Sequence, residues 1–286
     1  MVEKLNCNTS VAVLLATYNG IKYLPEQLDS LLAQSYCDFT VFIHDDGSND
    51  GTQALLKDYA DSNKQIVILD YESQHGAKEN FFSLLKRVEA PYYMFCDQDD
   101  IWHADKIEKS LLAVSSKETE VGKDLPVCVY SDLRVIDENR NLINESFFEM
   151  EGIYPEFLED FNHAGASNFA TGCTMLFNHK AKDVMHPKTE LSTMHDSWIA
   201  LSTMTYGGVV FPIREALIEY RQHSGNTLGA MDASRLTLCY RIKNARSIIS
   251  LLWRHYKMHR ALGYGSILKF IYYKIVYRNR INRVRS

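Results

Sequence analysis

Asp97, Asp99 and Asp100 fall within four positions, immediately after the apolar run Tyr92 to Cys96. A helix cap or a turn needs only one such side chain. Three carboxylates this close repel one another unless a cation lies among them. Oxygen-only ligands favour Mg²⁺ or Mn²⁺ over zinc, and these hard ions commonly take one or two carboxylates together with substrate phosphates. A second polar run, Asp45-Asp46-Gly47-Ser48-Asn49-Asp50-Gly51, has the composition of a turn entering a helix, and alone it reads as that. Further along, Asp196 precedes an apolar segment, where it suits either a helix N-cap or a proton acceptor. Arg221, Gln222 and His223 end another apolar run.

The elements that must position these groups alternate. Val11 to Ala16 reads as a strand, Leu24 to Gln34 as a helix with Leu24, Leu28, Leu31 and Leu32 on one face, and Phe39 to His44 as a strand. Thr52 to Tyr59 (helix), Gln65 to Leu69 (strand), Lys78 to Val88 (helix) and Tyr92 to Cys96 (strand) continue the rhythm. Successive β-α-β units imply a mostly parallel sheet covered by helices on both faces. Ligands of such sheets bind beyond the carboxyl ends of the strands. Three polar strand ends, Thr17-Tyr18-Asn19-Gly20, Asp45 to Gly51 and Asp97 to Asp100, therefore converge on one edge. A helix over Asp105 to Val114 and a strand over Val127 to Tyr130 follow, and periodicity then weakens as far as Ser167. Regular structure resumes at Thr171 to Phe177, with a helix from about Ser197 and two strands around Gly208 to Phe211 and Ala216 to Tyr220.

Taken in order, these motifs resemble family 2 glycosyltransferases of the GT-A fold, and among them bacterial rhamnosyltransferase-type enzymes of surface polysaccharide synthesis. The resemblance is carried by Ala16 to Gly20, Asp45 to Asp50, Asp97 to Trp102, Thr171-Gly172-Cys173, His195-Asp196-Ser197-Trp198 and Tyr220 to His223, and it spans roughly Val11 to Leu228. It implies a Rossmann-like nucleotide-binding half in which Thr17, Tyr18 and Asp46 hold the base, Glu26 supports that loop, and Asp97 contacts the ribose. It further implies that Asp99 and His223 serve the metal, Mg²⁺ or Mn²⁺, and that Asp196 is the catalytic base. Arg221, Trp198, Thr171 and Gly172 would lie toward the diphosphate or acceptor. The implied reaction is inverting transfer of a sugar, L-rhamnose from dTDP-L-rhamnose or else a hexose from a UDP-hexose, onto a hydroxyl of a lipid-linked saccharide. The weakly periodic stretch before Ser167 is then the acceptor-facing half.

Other classes fit less well. A dinucleotide dehydrogenase needs G-x-G-x-x-G after the first strand and a P-loop enzyme needs G-x-x-x-x-G-K-[ST]; neither occurs. A sugar nucleotidyltransferase would carry a Gly-rich, Arg-bearing loop where Thr17 to Tyr23 has one Gly and no Arg. An inactive assembly scaffold would have no need to retain Asp97, Asp99 and Asp196 together. The 286 residues, 46% hydrophobic, suffice for one large domain with an appendage. No C-x-x-C pair occurs among Cys7, Cys37, Cys96, Cys128, Cys173 and Cys239, so the thiols read as reduced and cytosolic. The polar N-terminus has no signal-peptide character, and no nucleic-acid partner is expected.

The catalytic domain is expected over residues 1–230 and a basic, helical region over 231–286. From Arg241 to Ser286 the chain has no Asp or Glu, although its overall charge is −5. Ile248, Ile249, Leu252, Trp253 and Tyr256 share one helical face, with Lys243, Arg246, Arg254 and Lys257 toward another. Ile267 to Tyr277 is apolar and aromatic and precedes Arg278, Arg280, Arg283 and Arg285. Two readings of this tail remain: its apolar faces pack on the catalytic domain, or they hold the enzyme peripherally on the anionic inner face of the plasma membrane.

Overall fold

The computed structural model describes residues 5–6, 9–158, 160–165, 169–185, 187–223 and 245–285. Its centre is the strand β2 (Val11–Thr17), preceded by a two-residue β1 (Leu5–Asn6). Period-2 alternation sends Ala12 and Leu14 into one core and Val11, Val13 and Leu15 into the other. Both faces are covered because each β-α-β crossover lays a helix on the sheet. On one side lie α1 (Leu24–Leu32), α2 (Thr52–Ser62) and α4 (Lys106–Val121), contributing Leu24, Leu28, Leu56, Ile107 and Val114. On the other, α3 (Ala77–Arg87) and α8 (His195–Thr205) supply Phe81, Leu84, Leu85, Trp198 and Ile199.

β3 (Phe39–Asp45) and β6 (Tyr92–Cys96) flank β2 in parallel, and β4 (Ile66–Ile68) extends the sheet beyond β3. A short β5 (Val88–Glu89) pairs with β1. Beyond β6 comes β10 (Met175–Asn178), which is antiparallel to both β6 and β8 (Val127–Asp137). β11 (Val209–Gln222) runs parallel to β8 and meets β7 (Ile101–Trp102) antiparallel, while β9 (Leu142–Asn144) pairs with β8.

The expected alternation through Tyr92–Cys96 is reproduced, and three other expectations are corrected. The two strands expected near residues 208–220 are one strand, whose register shifts between Ile213 and Ala216 and again between Ala216 and Glu219. Those shifts, with the polar Arg214-Glu215 pair, break its apolar pattern in two. β8 continues to Asp137, and the weakly periodic stretch after it holds α5 (Phe147–Glu151) and α6 (Phe161–Ala164). The helix after β10 is α7 (His179–Asp183). α8 starts at His195 with Met194 at its N-cap, so Asp196 lies in the first turn and is not the cap.

In the tail, α9 (Ala245–Ala261) and α10 (Ile267–Arg285) form a helical pair joined by a tight turn. One face packs on the α/β body. Met258 and Leu262 enter its core, Tyr264 Oη donates to Asn162 O, and Tyr277 Oη donates to Gly152 O at 3.2 Å. Of the stripe expected on α9, Tyr256 is buried against Tyr264 and Phe270 while Ile249, Leu252 and Trp253 stand exposed. Lys243 and the expected boundary near residue 230 lie outside the described residues, as do Cys7 and Cys239. Cys37, Cys96, Cys128 and Cys173 are free thiols. Among the described residues, no helix is long and apolar enough to cross a membrane.

Candidate active site

β2, β3 and β6 end side by side, and the loops that follow them build one edge. Asp45 closes β3 and accepts from Thr17 Oγ1 at 2.8 Å, Ser48 N at 2.8 Å and Gln53 Nε2 at 3.0 Å. Thr17 is thereby buried with its hydroxyl committed. Asp46 takes four donors from one loop: Ser73 Oγ at 2.6 Å and the backbone N–H groups of Gln74, His75 and Gly76 at 2.5, 3.0 and 2.8 Å. Burial would push its carboxyl up, but these donors outweigh that and hold it below the usual range. Asp50 is held low in the same way, its donors being Thr52 and Ile21 N.

The loop after β6 is different. The Gln98 amide grips the backbone of Tyr18 in both directions, accepting from Tyr18 N at 2.9 Å and donating to Tyr18 O at 3.1 Å. Gly20 makes room for this, since a Cβ there would stand 2.4 Å from Gln98 Oε1. Asp99 Oδ2 meets His223 Nε2 at 2.8 Å, from the end of β11, and the imidazole packs on the Tyr23 ring at 4.6 Å. Asp97 is pushed up to about 7 by burial first and then by the Asp99 and Asp196 carboxylates. Asp100 is raised well above the carboxylate range by burial and then by Asp99 and Asp97. Its Oδ1 accepts from Arg221 N at 3.1 Å, while Oδ2 is buried without a partner. Beneath it Lys106 is fully buried, its ammonium 3.2 Å from the Trp102 ring, and burial lowers it to about 7.

Asp196 is also buried. Its Oδ2 accepts from Gly172 N at 3.2 Å and its Oδ1 from Ser197 N at 2.5 Å, so the Thr171-Gly172 and His195-Asp196 motifs meet across α8 and the start of β10. A Cβ on Gly172 would lie 2.7 Å from His195 Nε2. His195 sits between Phe81 and Phe95, and neither ring nitrogen has a partner. Burial drops it to about 4, so it is neutral at physiological pH.

An open cavity of about 380 Å³ lies over this edge, lined by Tyr18, Asn19, Tyr23, Gln98, Asp99 and His223 among others. Tyr18, Asp99 and His223 thus face one space, and Asp97 lies within electrostatic reach of both Asp99 and Asp196. Other expected residues are not brought to that space. Trp198 is entirely buried in the core of α8. Arg221 is buried with its guanidinium donating to Asp99 O at 3.0 Å, Glu138 O at 3.2 Å and Glu26 Oε2 at 2.7 Å. Glu26 is thereby tied to β11, across the loop it was expected to support, and Arg221 positions Asp99 from behind.

Two contributors went unnoticed in the sequence, Glu138 and Lys106, while Gln98 enters there only as part of the Asp97 to Asp100 run. Only Lys106 left a readable signal, a cation at the head of the buried series Lys106, Ser110, Val114 and Glu118 on α4. For a divalent cation, Asp99 and His223 offer an oxygen and a nitrogen side by side at the cavity, within a group of acids whose mutual repulsion a cation would relieve. The other grouping, Asp97, Asp100 and Cys173, has ligand atoms within 4.8 Å of one another. It fits a hard cation poorly, because burial raises the Cys173 thiol and keeps it protonated.

Comparison with known proteins matches this edge to a family. The glycosyl transferase family 2 profile matches residues 12–184. The dTDP-rhamnosyl transferase RfbG of Shigella flexneri is 28% identical over 228 residues, covering 76% of this chain and 74% of its own. Among solved structures, S. aureus TarS 1–349 superposes with a TM-score of 0.59 at 14% identity, covering 96% of this chain and 90% of that one; the chain spans 37% of a longer TarS structure. The mannosyltransferase PcManGT of Pyrobaculum calidifontis, solved with GDP-Man and Mn²⁺, superposes at 0.57 with 13% identity, covering 96% and 83%. The profile spans more than half of the chain and takes in β2, β3, β6 and their polar ends. This protein belongs to glycosyl transferase family 2 and has the GT-A fold.

Proposed function

We propose that the chain is an inverting, metal-dependent glycosyltransferase that moves L-rhamnose from dTDP-L-rhamnose onto a hydroxyl of a growing, lipid-linked saccharide in bacterial surface-polysaccharide synthesis. The observation that carries the chemistry is the meeting of Asp99 with His223 at the cavity, with Asp97 within electrostatic reach of Asp99 and Asp196. The donor assignment rests on the likeness to the Shigella rhamnosyl transferase. Residues 1–230 form the catalytic unit and 231–286 the appendage that keeps the enzyme cytoplasmic and peripheral to the membrane bearing its acceptor.

Tyr18 and the Asp46 loop hold the base, and Asp97 reaches the ribose. Asp99 and His223 hold Mg²⁺ or Mn²⁺, which when bound neutralises charge on the departing diphosphate. Asp196 accepts the proton of the attacking hydroxyl, and its orientation is set by Gly172 N and Ser197 N. Thr171 and Gly172 act through that contact. Incubating the protein with a panel of dTDP- and UDP-sugars and measuring released nucleotide tests the donor. Hydrolysis of dTDP-L-rhamnose above all others is expected; turnover of a UDP-hexose alone would replace the rhamnosyl reading by hexosyl transfer.

A further inference from the structure

We infer that the solvent-facing surface of the α9–α10 pair lies in the interface of an anionic lipid bilayer, with α10 in the membrane plane. The inference rests on the lipid-linked acceptor proposed above and identifies the surface that would bring the enzyme to it.

α10 has two apolar stripes. Phe270, Tyr273 and Tyr277 recur at helical spacing and face the catalytic body, where Phe270 and Tyr277 are buried. Leu268, Ile271, Tyr272 and Ile275 recur at i, i+3, i+4 and i+7, and at 100° per residue they lie on the opposite side. All four are exposed, Leu268 at 76%. A helix that only packs on a domain has no need of a second apolar stripe facing water. On α9, Ile249, Leu252 and Trp253 stand exposed three to seven residues before the buried Tyr256, adding a Trp to the Tyr of α10. Trp and Tyr are the aromatic residues enriched at bilayer interfaces.

Charge selects the occupant. The exposed cations Arg254, Lys257, Lys269 and Arg278 border these stripes, and the chain from Arg241 to Ser286 has no acidic residue. A protein partner would have to present a large acidic surface, whereas an anionic leaflet presents one everywhere and accepts apolar side chains beneath it. Neither helix is suited to cross the bilayer, so the pair lies on it.

The test is co-sedimentation of the full chain with phosphatidylglycerol–phosphatidylcholine vesicles and with phosphatidylcholine vesicles. Wild type is expected in the pellet with the former only, and in the supernatant at high salt. The double variant Ile249→Glu/Ile275→Glu should lose binding at least tenfold, and Arg278→Gln about fivefold. Leu112→Glu, an exposed position on α4, should change nothing. Sugar-nucleotide hydrolysis by both tail variants should match wild type, which shows that they fold. Equal sedimentation of the double variant and wild type overturns the inference, as does a wild type that ignores anionic vesicles. Light scattering that shows a wild-type dimer turned to monomer by the double variant, without vesicle binding, would assign the face to a second copy of the chain. Vesicle binding without hydrolysis of any sugar nucleotide would reject the proposed function and leave this surface standing.

Discussion

Two acidic loops stand at the ends of β3 and β6, on either side of β2, and they solve opposite problems. In Asp45 to Asp50 each carboxylate is matched by local donors, and Asp46 and Asp50 are held low because the hydrogen bonds outweigh burial. In Asp97 to Asp100 the donors are few and the acids face one another, so Asp97 and Asp100 are driven up. The first loop is self-sufficient. The second carries repulsion among buried acids that positive charge among its members would relieve. Composition alone does not separate them; the distribution of backbone N–H groups does.

Asp99→Asn is expected to abolish transfer beyond rescue by Mg²⁺ or Mn²⁺, whereas EDTA should abolish wild-type transfer reversibly; full activity in EDTA would remove the metal. Next is Asp196→Asn, expected to lower kcat by about 10² to 10⁴ with nearly unchanged donor affinity, because a general base acts on the acceptor. Collapse of donor binding, measured by calorimetry, would make Asp196 a donor-site residue.

His195 sharpens the contrast, being a base kept neutral beside the acids. Its folded value near 4 lies below the unfolded value of about 6.5, so the unfolded chain gains a proton first as pH falls. That contribution to stability is whole above about pH 6.5 and shrinks by about 3 kcal/mol on descending to pH 4. Urea titrations should show His195→Gln losing less stability than wild type between pH 7 and pH 5; identical losses would place the titration elsewhere.

The smallest effect belongs to the self-satisfied loop. Asp46→Asn removes one charge-assisted acceptor from the Ser73 to Gly76 donors and should cost on the order of 1 kcal/mol in urea denaturation at pH 7. Because the folded Asp46 value is depressed, its contribution is present above the unfolded value of about 3.9 and is lost as pH falls through the lower folded value. Wild type and Asp46→Asn should therefore converge in strong acid. A cost as large at low pH as at pH 7 would mean that packing, not charge, holds the 73–76 loop.

Much of this was legible in the residues themselves. The strand Tyr92–Cys96, the alternation of Val11 to Leu15, and three polar strand ends on one edge follow from period and composition, because side-chain direction along a strand is a local property. The family could be inferred from motif order. What remained hidden depends on groups far apart in sequence. The Asp99–His223 contact joins residues 124 apart and the Arg221–Glu26 pair residues 195 apart. Arg221 and Trp198 carry motif-like neighbours, yet only packing decides that the guanidinium is spent on Asp99, Glu138 and Glu26 and that the indole faces the core. The tail shows the same limit, since a helical wheel groups Ile249, Leu252, Trp253 and Tyr256 as one face. Tertiary structure divides that face, burying Tyr256 where α10 and the turn at Tyr264 reach it and leaving the preceding turns to solvent, because burial depends on where the neighbouring element ends and not on the period of the helix.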